Sequence, residues 1–377
     1  MLRRLRAVDL LLYLFPILLW AMGCVVLWSL TFASPDPSIH NLAIKQLAFG
    51  LIGIVAMSGI TMIDYRALRT SSWIVALITL ALLLAVEFIG TTSLGATRWL
   101  DFGFFQLQPS EVAKITLVII LAVYFSPHIE HPPLRILLGT LLILALPLGL
   151  VLKQPDLGTA MILVVVTLSM VLSLRLSRVH YVVITTVICL FFLVGTLSFK
   201  QVKPFNRLMH DYQRDRIVTF LDPEKDPLGK GYNVRQAMIA VGNGGLFGKG
   251  LGKEVGQLSQ LNFLPKAYTD FIFAALAEAL GFVGAVLLLA FFGGLLWRVI
   301  ITAISAKDTF GSLLAYGYFS VIVVSVLVNI GMNLGMMPVT GIPLPFVSAG
   351  GTALIMNFIG IGLLQSVVAR HKAIKFD

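Results

Sequence analysis

Residues 10–32 read LLLYLFPILLWAMGCVVLWSLTF, a run of 23 residues without one charged side chain. A helix of about 20 apolar residues is long enough to cross the hydrocarbon core of a bilayer. Further largely apolar runs follow, and with the first they cover residues 10–32, 42–62, 72–90, 111–126, 134–152, 157–174, 180–199, 270–300, 311–336 and 348–369. This pattern predicts an all-α polytopic membrane protein of about ten transmembrane helices.

The composition supports the same class over the whole chain. Hydrophobic residues make up 58% of the sequence and charged residues 12%, whereas a soluble domain carries roughly 25% charge. We therefore interpret residues 1–377 as a single integral membrane domain. Cys24 and Cys189 both fall inside predicted spans, which favours buried thiols without a disulfide or a metal.

The basic residues predict the orientation in the membrane. With the N-terminus inside, 13 of the 28 Lys and Arg residues fall in inner segments and only four in the short outer ones. Cytoplasmic loops carry such an excess, so we expect both termini to be cytoplasmic. The remaining basic residues lie in one large extracytoplasmic loop, residues 200–269, between spans 7 and 8. The net charge of +10 is then a membrane feature, and no nucleic-acid partner is expected.

Asp270 ends the long loop within LPKAYTDFIF. Either Thr269 or Asp270 could cap the helix that begins there, because their side-chain oxygens can accept free backbone N–H groups. Alternatively, Asp270 is a partly dehydrated carboxylate at the membrane lip that takes a proton in a reaction. The sequence leaves both readings open.

A second polar group occurs in QPSEVAK, residues 108–114. Pro109 and Glu111 suit a first helical turn. Glu111 and Lys114 are three residues apart on one helix face and can form an ion pair. Such a pair could only stabilise the fold, or it could belong to a binding site or pathway. Arg98, next to an interfacial tryptophan, could hold a phosphate with two hydrogen bonds.

A third helix start is predicted at KQPDLGT, residues 153–159, where Asp156 is either a cap or a functional acid. Three predicted helix starts on one side of the membrane thus each carry an acid. Three independent caps would explain this clustering poorly. The glycine-rich run 242–252 does not match G-x-x-x-x-G-K-[ST], because Gly250 follows Lys249. We therefore expect no nucleotide, and a flexible loop that could approach a ligand closely.

Five strings carry a family resemblance, and they occur in a fixed order: GATRWLDFGFFQLQPSEVAK, KQPDLGTA, VRQAMIAVGNGGLFGKGLGK, QLNFLPKAYTDFIFAALAEALGF and PVTGIPLPFVSAGGT. Together they span nearly the whole chain and resemble the SEDS family (shape, elongation, division and sporulation). MPVTGIPLPF is more similar to the RodA branch of that family than to the FtsW branch.

The resemblance implies a peptidoglycan glycosyltransferase that polymerises lipid II at the outer face of the bacterial cytoplasmic membrane, for elongation and rod shape. It implies that Asp270 is essential, and we interpret this residue as the general base. The implied partners are lipid II, glycan linked to undecaprenyl diphosphate, a class B penicillin-binding protein, other elongation-complex proteins and membrane lipids.

The resemblance and the chemistry together nominate groups that hold the substrate and its departing diphosphate. They are Arg98, Glu111, Lys114, Asp156, Arg207 and Arg235. A divalent cation, Mg²⁺ or Mn²⁺, is expected, with Asp156 as its candidate ligand.

The sequence departs from the family pattern near Asp270. The usual LPExHTDF is here LPKAYTDF, so Lys266 replaces an acid and Tyr268 a histidine. The first departure changes the charge beside Asp270, and the second argues against a mechanism that needs an imidazole there. Two other functions remain possible: a flippase for lipid-linked precursors, and a scaffold for a penicillin-binding protein.

Overall fold

The computed structural model describes residues 8–33, 41–93, 96–103, 105–130, 132–203, 211–222, 229–252, 264 and 266–371. Within this part of the chain there are twelve helices: α1 (Leu10–Ala33), α2 (Leu42–Met62), α3 (Ala67–Ile89), α4 (Pro109–Phe125), α5 (Arg135–Lys153), α6 (Leu157–Leu172), α7 (Arg178–Phe199), α8 (Asp211–Leu221), α9 (Lys230–Asn243), α10 (Ile272–Ser305), α11 (Thr309–Asn333) and α12 (Gly351–His371). Three short antiparallel strands lie between α3 and α4, namely β1 (Thr91–Ser93), β2 (Ala96–Asp101) and β3 (Gln106–Leu107).

The predicted all-α membrane fold is confirmed, because each of the ten predicted spans corresponds to a helix. Among the described residues, eight of these helices are long and apolar enough to cross a bilayer. The two shorter ones are α4, with 17 residues, and α6, with 16. Both are largely buried inside the bundle. By contrast, only 6% of the apolar window of α7 is buried within the protein, so lipid is the natural cover for this helix.

Both ends of the described chain lie at the same end of the bundle. Gln365, near the end of α12, accepts a hydrogen bond from Asp9 N at 3.1 Å and donates one to Asp9 O at 2.6 Å. The carboxylate of Asp9 pairs with Arg298 in α10. An even number of spans requires this arrangement, which agrees with the predicted topology. We call this the termini end, and the opposite end the loop end.

The loop end is where α4, α6, α10 and α12 begin. Gln108 N, just before α4, donates to Thr352 Oγ1 in the first turn of α12 at 3.1 Å. The same hydroxyl donates to the carbonyl of Gln106 in β3 at 2.7 Å. The strands therefore close over the helix starts, a feature that hydropathy did not predict.

Two helices of the predicted long loop, α8 and α9, lie at the loop end; α9 packs on α8, α10 and α11. The glycine-rich run that follows α9 meets a break in α10 at Gly281, whose φ of 68° and ψ of −166° are not helical. Lys249 N donates to Glu278 O at 2.9 Å, and Phe282 N donates to Gly245 O at 2.8 Å. A Cβ on Gly281 would lie 2.2 Å from Gly248 N. Glycines are thus needed here because two backbones meet, which is a packing role that the sequence did not predict; the close approach of this run to a ligand stays a prediction.

Candidate active site

Asp156 caps α6 and gathers donors from α4. Its carboxylate accepts from Thr159 N at 3.2 Å and Thr159 Oγ1 at 2.8 Å. It also accepts from Ser110 Oγ at 3.1 Å and from Gln108 Nε2 at 3.3 Å. The predicted cap is confirmed. The contacts from Ser110 and Gln108 join the starts of α4 and α6, so Asp156 organises this corner of the loop end.

Arg98 extends the same corner from β2. Its Nε donates to Gln154 O at 2.9 Å, and its second terminal nitrogen donates to Pro155 O. The other terminal nitrogen lies 3.9 Å from Asp156 Oδ1. Several of the guanidinium donors are therefore used within the protein. Only the remaining N–H groups of Arg98 are available for the predicted hydrogen bonds to a phosphate.

The predicted pair between Glu111 and Lys114 is confirmed. Lys114 Nζ lies 2.8 Å from Glu111 Oε2, and the two side chains are 7% and 3% exposed. At this burial the ammonium is matched by a carboxylate within its own helix and does not reach the surface. The structure thus favours a buried pair in the bundle wall over a diphosphate-binding role for Lys114.

Glu111→Gln should destabilise the protein strongly, because it leaves the Lys114 ammonium buried without its counter-charge. Removing one partner of a buried pair typically costs about 3–5 kcal/mol. The apparent unfolding midpoint in detergent should fall accordingly. Replacing both residues, Glu111→Leu with Lys114→Met, should recover most of the loss.

The exposed pair between Arg175 and Glu130, 3.8 Å apart with side chains 75% and 64% exposed, supplies the control. Glu130→Gln should leave the midpoint unchanged. Equal loss from Glu111→Gln and the double variant would refute the idea that the unpaired ammonium is the cause.

Asp270 lies in a turn immediately before α10 and is partly buried. The N-cap of α10 is Phe271, without a side-chain cap, so of the two alternatives left open for Asp270 the structure excludes capping by Thr269 or Asp270. The side chain of Asn333, on α11, satisfies the helix start instead: its Oδ1 accepts from Ala274 N at 3.0 Å. The carboxylate of Asp270 is thereby free of capping.

Two fully buried asparagines hold the backbone of Asp270. Asn329 and Asn333 are both 0% exposed, and each donates from Nδ2 to Asp270 O at 3.1 Å. Asn329 also donates to Ile342 O at 2.8 Å. The interpretation of the sequence missed this pair, although two amides four residues apart in an apolar span are a signal of a polar helix face.

The segment 338–350, between α11 and α12, joins Asp270 to the Asp156 corner. Ser348 Oγ donates to Thr269 O at 2.7 Å. A Cβ on Gly341 would lie 3.6 Å from Asp270 Oδ2, and a Cβ on Gly158 in α6 would lie 2.9 Å from Thr340 O. The three acid-bearing helix starts predicted to face one side therefore do so: this segment links α6 with α10, and Asp156 links α6 with α4.

Charges around Asp270 come from three elements. Burial raises the pKa of the Asp270 carboxyl, and this effect is opposed by the charge of Lys266, a hydrogen bond from Thr269, and the charges of Arg216 and Arg98. Arg216, on α8, was not among the predicted residues. Its terminal nitrogen donates to Val339 O at 3.2 Å and Thr340 O at 3.0 Å. The site thus pairs a partly dehydrated carboxylate with surrounding cations, which suits a proton acceptor beside an anionic leaving group.

Comparison with known proteins assigns this chain to a family. The family model FTSW_RODA_SPOVE, described as cell cycle protein, matches residues 9–373. The chain belongs to the FtsW/RodA/SpoVE family. The resemblance carried by the five sequence strings is therefore confirmed.

Individual relatives of the FtsW/RodA/SpoVE family agree over nearly the whole chain. The peptidoglycan glycosyltransferase MrdB of Escherichia coli K12 is 39% identical, covering 93% of this chain and 90% of its own. A solved chain from a peptidoglycan synthase complex, described as coordinating polymerization and crosslinking, is 30% identical with a TM-score of 0.80 and covers 97% and 99% of the two chains. The rod shape determining protein RodA of Thermus thermophilus is 27% identical with a TM-score of 0.68, over 98% of each chain.

Two predicted substrate-binding residues, Arg207 and Arg235, are not brought to the Asp270 site by the described structure. Arg207 lies outside the described residues. Arg235 is exposed on α9, and its role in binding substrate stays a prediction.

The environment of Asp156 does not fit the predicted metal ligand. Four hydrogen-bond donors and the Arg98 guanidinium surround its carboxylate, whereas Mg²⁺ and Mn²⁺ need several free oxygen ligands. Within the described residues, no three His, Cys, Asp or Glu side chains cluster as a metal site. We therefore assign no metal to Asp156.

Proposed function

We propose that this multi-pass membrane protein is a peptidoglycan glycosyltransferase of the bacterial cytoplasmic membrane, which polymerises lipid II at the outer face for cell elongation. The observation that carries the proposal is the Asp270 site: a carboxylate before a membrane helix, fixed through its backbone by Asn329 and Asn333 and surrounded by cations. The family relationship supports it, since MrdB is named a peptidoglycan glycosyltransferase. The topology that follows is a loop end outside and a termini end in the cytoplasm.

The chemistry follows from the arrangement at Asp270. The carboxylate accepts the proton of the acceptor sugar's 4-hydroxyl as that oxygen attacks the anomeric carbon of the donor. The new glycosidic C–O bond forms while the bond from the anomeric carbon to the diphosphate oxygen breaks, with inversion. The leaving undecaprenyl diphosphate takes the bonding electron pair. General-base assistance of this kind is typically worth about 10²–10⁴-fold in rate.

Cations near Asp270 would balance the charge on the leaving diphosphate. Arg216 and Arg98 are the described cations fixed by backbone carbonyls at the site, and fixed charges stabilise a developing anion without reorganising. Arg235, exposed on α9, is proposed as a further cation for the diphosphate; Arg207 is proposed from the sequence alone, since it lies outside the described residues. A divalent cation remains part of the proposal as a requirement of the reaction, without an assigned protein ligand.

A class B penicillin-binding protein is the proposed partner. One similar solved chain is described as part of a peptidoglycan synthase complex that coordinates polymerization and crosslinking. This chain covers 99% of that one with a TM-score of 0.80, so the two backbones could present an assembly face in the same place. We propose that this complex works with other elongation proteins.

A flippase for lipid-linked precursors is the second candidate. The observation that favours it is the burial of ionisable groups within membrane helices: Glu111 and Lys114 in α4, and Glu278, 0% exposed, in α10. Ionisable groups at such depth often mark translocation pathways. The site at Asp270 lies at one end of the bundle, which favours chemistry at a membrane face.

The test follows what the purified chain does with lipid II in detergent and in vesicles. In detergent, where transport has no meaning, the protein should convert labelled lipid II into glycan strands that a muramidase digests. Addition of a chelator should suppress the reaction, and Mg²⁺ or Mn²⁺ should restore it. No polymer in detergent, together with translocation of lipid II across vesicles that contain the chain, would establish the flippase instead. Unchanged polymerisation in the chelator would remove the metal from the proposal.

A further inference from the structure

The glycine-rich run satisfies the backbone groups of α10 that lose their helical partners at the break. In an unbroken helix, the N–H groups of Phe282 and Val283 would donate to the carbonyls four residues earlier. Here they donate instead to Gly245 O at 2.8 Å and Leu246 O at 3.1 Å. The two carbonyls left over accept from Lys249 N at 2.9 Å and from the next N–H at 3.0 Å. Because lipid tolerates irregular backbone only where its polar groups are satisfied inside the protein, this pairing allows the run to lie at membrane depth.

The length of α10 places this pairing in the membrane. The sequence from Ala279 to Trp297 contains no charged residue, and the next residue, Arg298, pairs with Asp9 at the termini end. The helical stretch from Phe282 to Arg298 is about 24 Å long, and the hydrocarbon core of a bilayer is about 30 Å thick. The run therefore meets α10 near the loop-end edge of the hydrocarbon core.

Helix α1 gives the same level independently. At the end of the run, Gly252 N donates to Ser29 Oγ at 3.3 Å. The helical stretch from Leu10, at the termini end, to Ser29 is about 29 Å long. Exposed tryptophans lie at both levels, because Trp28 precedes Ser29 and Trp297 lies at the termini end of α10. Tryptophan is enriched at the two membrane–water interfaces, so both helices place the run at the interface of the loop end.

Large apolar side chains of the run are exposed at this level. Leu246 is 65% exposed and Phe247 is 81% exposed. The backbone hydrogen bonds place them beside Phe282 and Val283, which are exposed on α10. Lipid must cover these two residues because they belong to a membrane span, and the same apolar surface continues onto the run. Lys249 lies two residues beyond Phe247 and is exposed, where an ammonium suits the phosphate of a lipid headgroup.

We propose that Leu246 and Phe247 form a lipid anchor, in which both side chains insert among the acyl chains of the leaflet at the loop end and Lys249 lies at the phosphate level. The anchor holds the C-terminal end of α9 at the bilayer surface. Because α9 packs on α10 and α11, and α11 carries the two asparagines that hold Asp270, the anchor connects elements of the Asp270 site to the membrane surface. It rests on the fold and the membrane level alone, and glycosyl transfer plays no part in it.

The experiment measures which solvent surrounds residue 247 in the full-length protein. Phe247→Cys is labelled with the fluorophore NBD in a background that carries Cys24→Ala and Cys189→Ala. The protein is reconstituted at one copy per disc into nanodiscs of phosphatidylcholine and phosphatidylglycerol, which excludes contacts between copies. Quenching by phosphatidylcholine with a doxyl group on its acyl chain is compared with quenching by aqueous iodide. Val286→Cys, exposed on α10, is the lipid reference, and Asp101→Cys, exposed in β2, is the water reference.

An inserted side chain should behave like the lipid reference. We expect doxyl quenching at residue 247 within about twofold of that at residue 286, and iodide quenching at least about threefold weaker than at residue 101. Strong iodide quenching with little doxyl quenching would overturn the proposal, because the surface would then face water and be open to a protein partner. Weak quenching by both would also overturn it, since another part of the chain would then cover the surface. Leu246→Cys repeats the measurement should the Phe247→Cys protein have a lowered unfolding midpoint.

Discussion

Asp270→Asn is expected to lower the rate of glycan polymerisation at least about 100-fold, because the amide cannot accept the proton of the attacking hydroxyl. The substitution keeps the size of the side chain. The hydrogen bonds from Asn329 and Asn333 go to the backbone carbonyl of residue 270 and should therefore persist. The initial rate with labelled lipid II measures the effect, and the unfolding midpoint in detergent shows whether the protein remains folded.

Asp101→Asn is the matched control for this prediction. Asp101 is an exposed acid in β2, and its carboxylate accepts from Gly103 N at 2.7 Å and Gln106 Nε2 at 3.1 Å. Asp101→Asn replaces a carboxylate by an amide at the same end of the bundle, as Asp270→Asn does. The polymerisation rate of the Asp101→Asn variant should stay within about twofold of wild type. Similar losses in both variants would indicate a general effect of removing negative charge, and the assignment of Asp270 as the base would be withdrawn.

Asn333→Leu should have the next largest effect, a loss of about 10- to 100-fold in polymerisation, because a misplaced catalytic group can cost that much. The side chain of Asn333 donates to Asp270 O at 3.1 Å and to Asn329 O at 2.7 Å, and accepts from Ala274 N at 3.0 Å. Leucine removes all of these bonds at a fully buried position. Each orphaned buried group costs about 1–3 kcal/mol, so the unfolding midpoint should also fall.

Gln365→Leu separates lost stability from lost positioning. Gln365 is equally buried and bonds to both backbone groups of Asp9, but at the termini end. Its replacement should lower the midpoint to a similar extent while leaving the rate per folded molecule close to wild type. If the two variants lose activity in parallel, the asparagine pair supports the fold in general and does not specifically position Asp270.

The parts of the fold that the sequence predicted depend on local composition. Apolar runs predicted each membrane helix, and spacing along one helix predicted the pair between Glu111 and Lys114. Asp156 was predicted as a cap because a cap involves neighbours within one turn. The even number of spans predicted that both termini share one end. These features need no knowledge of which helix lies beside which.

The candidate site depended on contacts between distant segments, and there the predictions were incomplete. Arg216 lies in a polar loop, and nothing local indicated that α8 would place its charge near Asp270. Asn333 satisfies the start of α10 from α11, and this contact between distant segments excludes the capping alternative that the sequence left open for Asp270. Lys114 was predicted to bind diphosphate, but packing of α4 buries its ammonium beside Glu111. The glycine-rich run was predicted to be a flexible loop, and no motif indicated that it meets the break at Gly281.

The central claim is that this chain itself forms the glycosidic bond, and one comparison tests it most directly. The initial rate of glycan strand formation from purified lipid II is measured for the chain co-purified with the proposed partner, a class B penicillin-binding protein, whose transpeptidase site is first acylated by a β-lactam. The same partner is assayed alone. We predict muramidase-sensitive strands only when the chain is present. Strand formation by the partner alone at the same rate, or none from the complex, would contradict the claim.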